Sequence, residues 1–337
     1  MTATRGQGRR DLDAALVKAA GDGEPHTVAV LIGLGADVEA VDEDGKKALM
    51  LAAENGHTGT VNALAGTHDA NVEAVDEYGW TALMLAAENG HTGTVNALAG
   101  THNANVEAVG QNGSTALMVA AQNGHTDTVN ALAGTHNANV EAVDQNGLTA
   151  LMIAARHGHT ATVNALAGTH NANVEAVNLH GLTALMFAAY QGHTDIVNAL
   201  AGTHNANVEA VGQNGSTALM VAAENGHTDT VNALRQHGAT SQTRPETDGY
   251  GPGTSPGLLA DEFGSSELSA GNTHLLADDT VPSEQLTCSI CMHHMPSVRF
   301  HPCGHTACRA DARQLRRRRA DCHICRQPIT EFQPMFL

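Results

Sequence analysis

All six cysteines of the 337-residue chain lie between Cys288 and Cys325. They form a pattern: Cys288-x-x-Cys291, then Cys303-Gly-His305-x-x-Cys308, then Cys322-x-x-Cys325. Thiolates separated by two residues on a tight turn can grip one zinc ion. Two such pairs around a C-x-H-x-x-C centre therefore supply donors for two ions. The opening residues, MTATRGQGRRDLD, carry basic side chains but no apolar run, so no secretory leader is expected. No apolar stretch approaches the roughly 18 residues of a membrane span. A reducing cytoplasmic or nuclear setting follows as the expectation, and there clustered cysteines point to metal before disulfides.

Charge separates the same region from the rest. Residues 284–337 hold eight arginines and four acids, or +4. The other nine basic and 31 acidic residues give −22. Overall the chain carries −18, which argues against a binder dominated by nucleic-acid phosphates. At 42% hydrophobic residues it can bury a core. Two modules of different physical character are expected.

What positions the binding surface is a repeat. ADVEAVDEDGKKALMLAAENGHTGTVNALAGTHD begins at Ala36, and further copies begin at Ala70, Ala104, Ala138, Ala172 and Ala206, each 34 residues on. The stretch from Asp11 to Gly35 reads as an atypical first unit. Each copy reads as turn, helix, turn, helix: Glu77-Tyr78-Gly79 turns, Thr81 caps ALMLAAEN, Asn89-Gly90 ends it, and Thr92 opens the second helix. One copy cannot bury its apolar side alone, whereas stacked copies share a continuous core.

The segment GWTALMLAAENGH resembles the ankyrin repeat, with Ala and Met in place of the family's usual Pro and His. Met84 and its equivalents occupy that His position, and the family's usual period of 33 is exceeded by one residue, in ALAGTHNANV. The resemblance covers about 230 residues and is closest to the TALM-type repeats of large protist families. It implies a helical solenoid whose concave face binds protein. Eleven histidines recur in the GHT and THN or THD steps, and like residues one repeat apart are too distant to share an ion. They are expected to hydrogen-bond between helix ends, and the Met column to fill the core.

Binding specificity is expected where copies differ, at the turn tips and along the first helix. Tyr78, Trp80, Phe187 and Tyr190 are the aromatics there, read either as partner contacts or as packing residues. Between Ala48 and Leu234 only Arg156 is basic, against fifteen acids, so a basic protein segment is the expected partner. No nucleophile, phosphate loop or carboxylate pair stands out in the repeats; they are expected to bind, not to catalyse.

Residues 240–283 lose the period and enrich in Gly, Ser, Thr, Pro and Asp, as a flexible linker does. The cysteine-rich module that follows resembles the RING finger of ubiquitin ligases, closest to the compact forms of inhibitor-of-apoptosis proteins. That resemblance implies interleaved sites. Cys288, Cys291 and Cys308 would share the first ion, while Cys303, His305, Cys322 and Cys325 hold the second. The remaining donor position, three after Cys308, holds Asp311 where the family has Cys. A carboxylate ligates zinc, so Asp311 is favoured as eighth ligand; His293, His294 or a weakened first site are the competing readings.

The RING resemblance further implies contacts with a ubiquitin-charged conjugating enzyme (E2) through Ile290, Leu315 and Ile324, and a bridge to ubiquitin through Arg326. No residue would act as a covalent catalyst. His323 replaces a usual Pro. Phe332 and Phe336, in the twelve residues after Cys325, would support a RING homodimer. Arg316–Arg319 reads as a solvated basic patch rather than a nuclear-import or RNA signal. The expected fold is thus mainly α: a disordered N-terminus at 1–10, an ankyrin-repeat solenoid at 11–239, a flexible linker at 240–283, and a small zinc-bound α+β RING domain at 284–337. The expected function is a RING-type E3 ubiquitin ligase whose repeats select a substrate. The alternative is a non-catalytic scaffold with a structural or dimerising finger.

Overall fold

The structure, a computed structural model, describes residues 2–240 and three short stretches, 298–301, 306–307 and 331–334. Residues 2–240 are helical throughout apart from turns. The first unit pairs α1 (Thr2–Gly21) with α2 (Pro25–Gly33), whose leading Pro supplies a preset φ where no backbone donor is needed. Helix α1 starts nine residues ahead of Asp11, so the segment expected to be disordered is helical here; it contains no Pro to stop the helix.

Six copies follow. Their inner helices are α3 (Ala48–Glu54), α5 (Ala82–Glu88), α7 (Ala116–Gln122), α9 (Ala150–Arg156), α11 (Ala184–Gln191) and α13 (Ala218–Glu224). They pack side by side in chain order, beginning with α1 against α3. The threonine cap works as expected: Thr81 Oγ1 accepts from the Met84 amide, and Thr115, Thr149, Thr183 and Thr217 repeat the contact. Lys47 stands at that position in the first copy and provides no side-chain cap. Met50, Met84, Met118, Met152 and Met186 are buried, as core filler should be.

The outer helices are α4 (Thr58–Asn62), α6 (Thr92–Asn96), α8 (Thr126–Asn130), α10 (Thr160–Asn164), α12 (Thr194–Asn198) and α14 (Thr228–Gln236). All but α14 continue into a five-residue π turn, for example Ala97–Thr101. This is where the thirty-fourth residue goes. The His102 amide bonds the Ala97 carbonyl five residues back, whereas in the last copy the His237 amide reaches only four back, to Ala233. The π turn leaves the chain at a left-handed residue: Asp69, Asn103, Asn137, Asn171 and Asn205 have φ of 52–55°. Asn and Asp tolerate this conformation better than other side chains do. The two end units use Gly35 and Gly238 instead.

Successive hairpin tips join through single backbone bonds, such as Gln111 N to Tyr78 O at 3.1 Å. Three further contacts clamp copy to copy. Glu73 Oε1 accepts from the Asn105 amide at 2.8 Å, and Glu39, Glu107, Glu141, Glu175 and Glu209 do the same one copy on. Thr92 and Thr128 hydroxyls meet at 2.8 Å. Histidines provide the third clamp, described below.

Near the C-terminus, β1 (Val298–His301), β2 (Thr306–Ala307) and β3 (Glu331–Pro334) form an antiparallel sheet in the order β2-β1-β3. Phe300 pairs with Phe332 in register.

Candidate binding groove and zinc donors

The aromatic candidates divide on burial. Tyr78, at a tip, is 50% exposed, and Tyr190, in the last turn of α11, is half-buried. Trp80 and Phe187 are 3% and 1% exposed, so both belong to the packing and not to the surface expected for partner contacts. The cause is specific for Trp80. A Cβ on Gly110 would come 3.2 Å from the indole Cδ1 and Nε1, so the ring occupies the space that a side chain at Gly110 would fill. Leu182 likewise lies over Gly212. Phe187 occupies an inner-helix position that is apolar in every copy. Tyr78 and Tyr190 are three copies apart and form no common patch.

A second variable column runs through Tyr190, the one member that the sequence singles out as an aromatic. Glu54, Glu88, Gln122, Arg156, Tyr190 and Glu224 stand at 34-residue steps near the C-terminal ends of the inner helices. The signal was available, since these positions differ between otherwise near-identical copies. The hairpin tips and this column meet: Lys46 Nζ, from the first tip, donates to Glu54 Oε1 and Oε2 at 2.9 and 2.8 Å, with both side chains largely buried. In the next copy Trp80 takes the place of Lys46, and Glu88 has no hydrogen bond or ion pair among the described residues. Burial first, then the Glu54 carboxylate, lifts the Glu88 pKa to about 7; Lys46 opposes the shift and Asp76 adds to it. Further along, Arg156 Nη2 donates to His157 Nε2 at 3.3 Å. Burial, then Arg156, His159 and His193, push the His157 pKa down to about 4.

The acidic balance of the repeats needs the same sorting. Five of the fifteen acids, Glu73, Glu107, Glu141, Glu175 and Glu209, are engaged with backbone amides of the next unit. Asp76 and Asp144 each hold two amides of their own tip through Oδ1. Glu54 is paired, whereas Glu88 has no donor among the described residues. Alongside runs an apolar column that invariance concealed. Val41, Val75, Val109, Val143, Val177 and Val211 are each more than half exposed. At the N-terminal end, Val17, Lys18, Asp22, Val41, Glu43 and Leu51 border an open cleft of about 620 Å³.

The histidines do what hydrogen-bonding geometry asks of them. His91, His125, His159, His193 and His227 each direct Nε2 to a carbonyl 37 residues earlier, at 2.7–3.1 Å. A carbonyl only accepts, so Nε2 carries the proton. The acceptors are Glu54, Glu88, Gln122, Arg156 and Tyr190, the residues of the variable column. His102, His136, His170 and His204 bond the Asn Oδ1 40 residues back. His68 would meet Val28 at that offset, and its Nε2 is buried without a partner. Among the described residues no three His, Cys, Asp or Glu side chains are grouped to hold a metal.

Cys288, Cys291, Cys303, His305, Cys308, Asp311, Cys322 and Cys325 lie outside the described residues, as do Ile290, Leu315, Ile324 and Arg326. Six thiols and an imidazole are soft or borderline donors of the kind that suits zinc.

The stacked helix pairs and the cysteine pattern together define a repeat-solenoid protein carrying a RING-type zinc finger, a class whose zinc-binding module accompanies a protein-binding surface. Ankyrin repeats in three copies match residues 16–109, 101–178 and 170–244. The chain belongs to the ankyrin-repeat family. A zinc finger of C3HC4 type (RING finger) matches residues 284–332. No curated protein matches the chain. Among the described residues no helix is long and apolar enough to cross a membrane.

Proposed function

We propose that the protein is a RING-type E3 ubiquitin ligase. Its ankyrin groove binds a protein substrate, and its zinc finger recruits a ubiquitin-charged E2. The observation that carries this reading is the joining, in one chain, of an ankyrin domain with a RING-type finger that retains Ile290 and Arg326. Two zinc ions, held by the eight donors named above, would fold the finger; the ions take no part in the transfer. Structural zinc contributes on the order of 10–16 kcal/mol to such modules, more than a small domain's whole stability. The chain's own contribution is positional. Ile290, Leu315 and Ile324 offer an apolar surface to the E2, and the Arg326 guanidinium makes several hydrogen bonds at once. Residues 240–283 tether the bound substrate, which raises its effective concentration near the E2 thioester.

A non-catalytic scaffold is the second reading, favoured by Asp311 and His323 at positions where the RING family has Cys and Pro. Reconstitution with ubiquitin, E1, ATP and a panel of E2s separates the two. A ligase forms ubiquitin chains, and Ile290→Ala or Arg326→Ala suppresses them. Inactivity with every E2, in protein carrying two zincs, assigns the scaffold role. A cytoplasmic or nuclear location suits either reading.

A further inference from the structure

Resting on the reading that the ankyrin groove binds a protein segment, we infer that Glu88, with Asp76 beside it, is the acceptor site for a lysine or arginine side chain of that segment. Three observations carry this. First, the preceding copy shows the occupied form of the same arrangement: Lys46 from the hairpin tip seats on Glu54 at the helix end. One copy on, the acid is retained as Glu88, while the tip residue is Trp80 and supplies no cation. Second, an acceptor there lacks a donor. Asp76 is 8% exposed, and its Oδ2 is buried with no hydrogen-bond partner. A buried acceptor left unpaired costs on the order of 1–3 kcal/mol, which favours an arriving donor. Third, Glu54, Asp76 and Glu88 bring three carboxylates to this part of the groove against the single charge of Lys46.

The chemistry of the absent donor follows. An ammonium or guanidinium brings several N–H groups and a positive charge to acceptors that offer none. A proton on Glu88 is the small substitute when nothing is bound, which agrees with its raised pKa. The ionisable groups around Glu88 are Glu54 and Lys46 of the preceding copy, Asp76 of its own, and His125, which holds the Glu88 carbonyl. Binding of a cationic side chain displaces the proton, so affinity rises with pH through about 7.

The test is selection of a random linear peptide library on the full-length chain, in parallel on Glu88→Gln and Glu88→Lys. Circular dichroism confirms that each variant is folded. The expected result is enrichment of Lys or Arg at one fixed position, lost with Glu88→Gln and replaced by Asp or Glu with Glu88→Lys. Individual selected peptides should bind Glu88→Gln roughly tenfold or more weakly. Peptides that bind without a basic residue, or that ignore both substitutions, overturn the inference and leave the groove reading intact. Failure to select any peptide overturns both. Titration with magnesium or calcium chloride is the remaining control: Glu88-dependent uptake of either ion reassigns the site to a metal and overturns the proposal.

Discussion

His125 lies over Gly90. A Cβ on Gly90 would stand 2.6 Å from the imidazole Nδ1, while Nε2 of the same ring donates to the Glu88 carbonyl at 2.8 Å. Gly90 itself has φ of +70°, so this one glycine allows both the left-handed end of α5 and the close seating of the next copy. Gly90→Ala therefore meets backbone strain and a clash together. A loss of about 2–4 kcal/mol is expected, against about 1 kcal/mol for His125→Ala, which forfeits the bond but creates no overlap. Urea denaturation of the two variants compares them, and a milder effect for Gly90→Ala than for His125→Ala would contradict the packing described.

Two groups make stability depend on pH in opposite directions. Glu88 binds its proton more tightly folded than unfolded, since its pKa rises from 4.5 to about 7. Its contribution is complete below pH 4.5 and is lost as pH climbs through about 7. Glu88→Gln should remove that loss, gaining on the order of 1 kcal/mol above pH 8 once solvent screening at this half-buried site is allowed for.

His157 has the other sign. Its pKa falls from 6.5 to about 4, so it favours the folded chain above pH 6.5 and the advantage fades as pH drops toward 4. Four of the other five copies place Asn there, and Asn89 and Asn123 hydrogen-bond the carbonyl four residues back. His157→Asn should raise the melting temperature at pH 5 relative to pH 8, read by thermal melts across that range.

Burial separates Trp80 from Tyr78, two residues away. Trp80→Ala empties the space over Gly110 and should cost about 3–5 kcal/mol in denaturant unfolding. Tyr78→Ala should leave stability within about 0.5 kcal/mol and change only peptide affinity. Equal destabilisation by both would place Trp80 at the surface after all.

The zinc assignment is measurable directly. Full-length protein should contain two zincs per chain, and Cys322→Ser should lower that number and abolish chain formation with E2. A content near one in the wild-type chain would remove Asp311 from the donor set. Asp311→Cys should then restore the second ion.

The repeat pattern made much of the fold legible. Thr81, Gly79 and Gly90 announced a cap, a turn and a helix end, and each holds that role. The extra residue in ALAGTHNANV was visible as a count, but not as a π turn, because hydrogen-bond register leaves no compositional mark. Helix α1 begins earlier than Asp11 because a single atypical unit offers no second copy against which to align it. Trp80 and Phe187 were read partly as surface because they vary, and variation marks contacts only where a side chain reaches solvent. The compensating clue was Gly110, 34 residues after Asp76, where neighbouring copies have Asp or Asn. Val41 and its equivalents were missed for the opposite reason: they never change. The zinc donors lie outside the described residues, and their assignment stands on the cysteine spacing and, for Asp311, on the RING resemblance.

The π turns occur in the five interior joints and in neither end unit. Every interior joint uses the same clamps, from Glu to Asn amide and from His to carbonyl. A whole 34-residue copy is therefore a movable module: excising one from the interior, or duplicating it, keeps both clamps at each new junction, provided that Trp80 still meets Gly110 and Leu182 still meets Gly212. What such an edit alters is the order of the groove-floor letters, acid, acid, amide, cation, phenol, acid. The length of the recognised segment and the sequence it prefers can thus be rewritten by recombination between copies, without a new fold having to be found.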